Sequence, residues 1–153
     1  LRVDAAETSV DVVSGWVRLD NEAGEVLVPG GASSVMRRSG LPSVPLFSSA
    51  TAGFKAAVRA LEGDSGPRAP ALETALRDAR RRDVLTLLIL ARRGAPERDT
   101  LLVRAAELMP PRSPATLARA RAGDDSAVTA WIDELPLPPR NWVPNWRDRL
   151  PFR

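Results

Sequence analysis

The sequence predicts an α+β fold, a small antiparallel β sandwich or roll segment followed by a bundle of short helices and an extended Pro/Trp-rich tail. Three observations predict it. Apolar residues alternate with polar ones through the first forty positions, the period of half-buried strands. From Phe47 the period lengthens to that of amphipathic helices. After Pro136, five prolines including that one are interleaved with Trp142, Trp146 and Phe152.

Leu1, Val3 and Ala5 alternate with Arg2 and Asp4. Val10 and Val12 share one face of the β-branched stretch 8–13, with Asp11 on the other. Gly15 breaks the run, and Trp16, Val17, Arg18 and Leu19 resume it. Residues 20–24, with two acids, Asn21 and Gly24, supply turn chemistry before a return strand at 25–28, which predicts a hairpin. Pro29, Gly30 and Gly31 form a tight turn into a further strand at 32–36. A sheet of this size buries too little surface to be stable alone. It must pack on the helices, on missing strands or on a second copy, and an open edge would invite strand addition.

The expected division is a β segment at 1–38, a linker at 39–46 rich in Pro and Gly, helices at 47–136 and an extended arm at 137–153. Phe47, Ala50, Phe54, Ala57, Val58 and Leu61 make the first helical stripe, and Leu72, Ala75, Leu76 and Ala79 the second. Asp83 is placed to cap a helix carrying Val84, Leu87, Leu88 and Ala91, which Gly94 and Pro96 close. Leu101, Ala105 and Leu108 mark another. Ser113 and Pro114 form a cap and first-turn pair for a short helix, and Asp125 or Ser126 starts the last, with Val128, Trp131, Ile132 and Leu135 facing inward.

The 153-residue chain is 44% hydrophobic and 27% charged, enough apolar content for a core. It contains no Cys, His or Tyr. Disulfides, thiolate or imidazole metal ligands, Cys nucleophiles and histidine bases are therefore excluded, and no cofactor is expected. The net charge is only +3 despite a pI of 10.8, because 21 of the 22 bases are Arg and one is Lys55. Nucleic-acid binders carry a larger and more segregated excess, so composition disfavours that partner. The longest apolar run, 84–91, falls well short of the roughly 20 residues that span a bilayer.

The start at Leu1, inside a strand, reads as that of a fragment or a processed product. Any signal or anchor would lie upstream, so contact with a membrane is expected only through such a segment.

Two features are candidates for partner binding. Arg77, Arg80, Arg81, Arg82, Arg92 and Arg93 concentrate positive charge around two helices, suited to an acidic partner surface or a phosphate-rich polymer, or simply to solvation with the stems covering apolar neighbours. Trp142, Trp146 and Phe152 suit interface anchors, or a segment that folds back and completes the undersized core. The carboxylates Asp78, Asp83, Glu97, Asp99, Asp124, Asp125, Asp133 and Glu134 sit among arginines or at helix starts, where capping accounts for them better than acid–base chemistry. No nucleophile elbow and no phosphate-loop lysine accompany them, so no enzyme is expected.

The run Thr8, Val10, Val12, Gly15, Val17, Leu19, Gly24, Val26, Val28, Pro29, Gly30 resembles the second half of a FecR-type domain. Asp83, Leu85, Thr86 and Leu87, then Glu107, Leu108, Pro110 and Pro111, then Gly123, Asp124, Trp131 and Leu135 are similar to the helical extension that many bacterial FecR-domain proteins carry. The chain departs from that pattern where Leu88 and Ile89 stand in place of a Trp–His pair, and it lacks the Gly–Thr step at which some members self-cleave. The resemblance implies a non-enzymatic periplasmic or envelope interaction module that regulates an extracytoplasmic-function sigma factor through a transmembrane helix. The alternative expectation is a scaffold subunit of an envelope or surface assembly, self-associating through its sheet edge and C-terminal arm. A basic nucleic-acid-associated protein is a third, which steep salt dependence would reveal.

Overall fold

The computed structural model describes residues 2–3, 7–37, 40–63 and 67–137. The α+β expectation holds. Two small antiparallel sheets precede a set of short helices. Strands β1 (Arg2–Val3), β2 (Glu7–Asp11), β5 (Ala32–Arg37) and β6 (Leu46–Phe47) form one sheet in the order β1-β2-β5-β6. Strands β3 (Trp16–Asn21) and β4 (Gly24–Pro29) form a hairpin of their own.

Each turn has a local cause. Asn21 pairs with Gly24 across a two-residue loop, and the Asn21 Oδ1 accepts hydrogen bonds from the N–H groups of Ala23 (3.0 Å) and Gly24 (3.2 Å). The Pro29–Gly31 turn is a packing point. Gly30 donates to the Gly15 carbonyl at 2.8 Å, and a Cβ at Gly30 would come within 2.9 Å of the Ser14 Cα. Backbone, rather than a movable side chain, stands in the way. Gly30→Ala is therefore expected to lower stability by about 1–3 kcal/mol in urea unfolding; an unchanged midpoint would show that the two turns do not touch in solution.

One expectation is corrected here. Phe47, assigned to the first helical stripe, belongs to β6, and the segment read as a linker returns to the sheet instead of leaving it. Leu46 pairs with Ser33 and Phe47 with Ala32. Ser43 holds the return in place, its N–H donating to the Val35 carbonyl and its Oγ accepting from the Val35 N–H at 2.8 Å. Helix α1 (Ala52–Glu62) begins after Thr51, whose side chain caps the Phe54 N–H at 3.0 Å.

The helices follow as α2 (Arg68–Asp78), α3 (Val84–Arg92), α4 (Arg98–Leu108), α5 (Pro114–Arg121) and α6 (Asp125–Asp133). Helix α3 is buried on all sides from Val84 through Ala91, which makes it the central rod of the molecule. Thr86 inside it donates to the Pro45 carbonyl at 2.6 Å, joining the rod to the segment that leads into β6. The core runs without interruption from Val10 and Val28 in the sheets through Phe47 and Phe54 to Leu102 and Trp131. Covering by helices thus resolves the problem of the undersized sheet.

Arginines serve the helix ends. Arg98 donates to the carbonyls of Ala91 and Ala120, at the ends of α3 and α5, and pairs with Asp125 at 2.6 Å. Arg104 reaches the carbonyls of Leu76 and Ala79 at the end of α2. Carbonyls left over at a helix C-terminus need such donors.

Asp124 does the complementary work at the start of α6, accepting from the N–H groups of Ser126 and Ala127 and from Arg119. The Ser126 hydroxyl and Arg119 hold its pKa down at about 2. A depressed carboxylate contributes stability above its unfolded value of 3.8 that is lost as pH falls through the folded one. Asn keeps the cap but not the charge. Thermal melts should show Asp124→Asn less stable than wild type at pH 6, with the gap closing towards pH 2.5; a gap constant in pH would refute the ionic assignment.

Among the described residues no helix is long and apolar enough to cross a membrane.

Candidate protein-docking site

Between α2 and α3 the chain makes a 3-10 turn, Arg81–Asp83, that presents three consecutive arginines to solvent at positions 80–82. The turn is fixed from inside by Asp83. Its carboxylate is only 2% exposed and accepts the Arg80 N–H at 2.9 Å. Burial raises its pKa, while that hydrogen bond and the charges of Arg80, Lys55 and Arg82 oppose the rise. Asp83 occupies the N-cap position of α3, as its place in the sequence suggested, yet its side chain turns back to the start of the 3-10 turn instead of capping α3.

The Arg82 guanidinium lies over the Phe47 ring, 4.8 Å from the centroid. Its Nη2 takes up the space beside Gly31 that a side chain would need, 3.2 Å from where a Cβ would be. Below it opens a cleft of about 340 Å³ lined by Phe47, Arg81, Arg82, Met109, Leu135, Pro136 and Leu137. The walls come from β6, the end of α4 and the segment after α6. Trp131 buttresses this wall, its Nε1–H donating to the Met109 carbonyl at 3.2 Å.

The arginines grouped by sequence are divided among separate places. Arg80, Arg81 and Arg82 stay together on the 3-10 turn and its N-terminal flank, and none makes an ion pair within 4 Å among the described residues. Arg77 pairs with Asp78. Arg92 lines a second cleft, of about 220 Å³, between the β3–β4 hairpin and helices α3 and α6, and approaches the Thr129 hydroxyl at 3.4 Å. Arg93 turns inward to Glu62 at 2.9 Å and to the Pro42 carbonyl at 2.6 Å, so its charge is spent within the chain. Trp142, Trp146 and Phe152 lie outside the described residues.

Sequence reasoning reached the arginines but missed Met109 and the role of Phe47. A methionine between two helices carries no periodic signal of its own, and Phe47 was absorbed into a helical stripe. Of the carboxylates read from the sequence as helix caps, Asp124 caps α6, whereas Glu97 pairs with Arg68, Asp99 with Arg121 and Asp125 with Arg98, and Glu134 accepts the Arg112 N–H. Arg68 holds the Glu97 carboxyl below its ordinary range, and Arg121 does the same for Asp99. Among the described residues, no three His, Cys, Asp or Glu side chains converge as metal ligands would.

Compared with protein-family models, curated proteins and solved structures, the chain gave no match. The FecR resemblance therefore rests on the sequence motifs alone.

Proposed function

We propose that this chain is a non-enzymatic protein-interaction module of bacterial envelope signalling, acting as FecR-type sigma-factor regulators do. The cleft under Arg81 and Arg82 carries the reading. It joins an apolar floor to cations without ion-pair partners among the described residues, the combination of buried anchor and polar rim that protein interfaces use. The strand and turn motifs shared with FecR-type domains supply the signalling context.

The test is transcriptional. Deleting the gene and substituting Met109→Asp with Arg81→Glu should alter the same small set of transcripts, those of one sigma-factor regulon. A deletion that changes no such set, or a double variant that behaves as wild type despite normal abundance, overturns the reading.

A scaffold subunit is the second reading, favoured by one observation. Strand β3 pairs only with β4 among the described residues, and a second copy could add to such an edge. Light scattering over a range of concentration and salt separates the two. A multimer insensitive to salt supports the scaffold, and a monomer supports the signalling module.

A further inference from the structure

We infer that the cleft beneath Arg81 and Arg82 selects one class of partner, an acidic peptide segment that carries a bulky apolar side chain. This rests on the docking role proposed above and adds to it the chemistry of the occupant.

Charge complementarity supports the inference. Residues 1–137 carry 18 cationic and 18 acidic side chains, so this part of the chain is neutral and the net +3 belongs to residues 138–153. Within that neutral body most arginines are consumed by carboxylates or helix-end carbonyls, as Arg68, Arg93, Arg98, Arg104, Arg119 and Arg121 are. The run at 80–82 is the exception in its neighbourhood. The acid next to it in sequence, Asp83, is buried and already bound to the Arg80 N–H, and the charge of Lys55 acts on that carboxylate along with those of Arg80 and Arg82. The field at the cleft mouth is positive, and the low-dielectric apolar walls strengthen it.

The guanidinium of Arg82 is also held in advance. Phe47 supports one face, so less side-chain entropy is lost when it binds a carboxylate. Met109, Leu135 and Leu137 supply the floor for an apolar side chain.

Two other occupants fit less well. A single-stranded nucleic acid needs aromatic platforms for its bases, and here Phe47 and Trp131 are each 1% exposed. The chain's own residues 138–153 follow Leu137 in sequence and hold three aromatic side chains, but they carry four arginines against one aspartate. Like charges at the rim oppose that occupant.

The experiment is selection of a bead-displayed random decapeptide library on the immobilised full chain, followed by affinity measurements on the selected peptides. Enrichment of Asp and Glu around one Leu, Phe or Met is expected. Affinity should fall about tenfold or more for Arg81→Ser with Arg82→Ser, and by a similar factor for Met109→Asp and for Leu137→Asp, the last at the edge of the described fold. Neutral or basic peptides that still lose affinity with Met109→Asp and Leu137→Asp would overturn the acidic class and leave the docking surface standing. Selected peptides indifferent to all of these substitutions, or no selection at all, would overturn both. Binding that emerges only with Trp142→Ser and Trp146→Ser would assign the cleft to the chain's own C-terminal residues, and the inference would fail.

Discussion

Replacing Trp131 with alanine is expected to lower the unfolding free energy by about 3–5 kcal/mol, the range for deleting a fully buried aromatic side chain. Trp131 is 1% exposed and closes the apolar stripe Ala127, Val128, Trp131, Ile132 of α6 against the core. The loss combines hydrophobic transfer with the cavity left behind, since Val128 and Ile132 on the same face of α6 are themselves buried and have little room to collapse. It also orphans the Met109 carbonyl, which takes the indole N–H at the C-terminal cap of α4. Trp131→Phe separates the two effects. It retains most of the apolar volume, and the missing hydrogen bond should cost about 1–2 kcal/mol.

Urea unfolding followed by far-ultraviolet circular dichroism checks both, because fluorescence would lose a reporter with the indole. A cost under about 1 kcal/mol for Trp131→Ala would mean that α6 does not pack as described. The same substitution should weaken peptide binding at the cleft, whose Met109 wall it supports.

The second large effect is expected at Arg93. Its pair with Glu62 is 19% and 15% exposed, and Glu62 also accepts the Val44 N–H at 2.6 Å while Arg93 donates to the Pro42 carbonyl. Two helices and the segment leading to β6 are thereby tied at one point. Arg93→Met leaves the Glu62 carboxylate without its counter-charge and should cost about 3 kcal/mol, the low end for breaking a buried pair because some exposure remains. Adding Glu62→Gln should recover part of that loss, since a neutral amide is cheaper to bury than a lone carboxylate.

A pH signature identifies the cause. Burial already raises the Glu62 pKa above its ordinary 4.5, against the pull of Val44 and Arg93. An acid with a raised folded pKa makes the protein less stable as pH rises through that value, because the folded state holds the proton more tightly. Removing Arg93 raises it further. The deficit of Arg93→Met should therefore be smaller near pH 4.5 than at pH 7, and a deficit independent of pH would show that packing of the arginine stem, not charge, is what was lost.

Several elements could be read from the residues themselves. The Asn21–Gly24 turn, the proline at the first turn of α5 and the inward face of α6 are local properties, set by side chains within a few positions of one another. The run at 84–91, apolar but for Thr86, was too short for a membrane, and it turned out to be the buried rod α3. Phe47 shows where local reading stops. Its spacing to Ala50 and Phe54 satisfies a helical period, yet hydrogen bonds to a strand fifteen residues earlier place it in the sheet. A two-residue strand carries no periodic signal.

The candidate site was legible only as a cluster of arginines. Which of them would face outward depended on partners distant in sequence. Arg93 meets Glu62 across 31 positions, whereas Arg82 meets the ring of Phe47, on a strand far earlier in the sequence. The sequence by itself determined the order of sheet and helices, the hairpin turns and the absence of imidazole and thiol chemistry, because periodicity, turn chemistry and composition act over a few residues or over the chain as a whole, while which side chain caps which helix was settled only by packing. The tertiary structure decided which arginines are spent and which are presented, and where the apolar floor beside them lies. Pairing a long side chain requires neighbours in space, and only the packed core brings β6, the 3-10 turn and the end of α4 together.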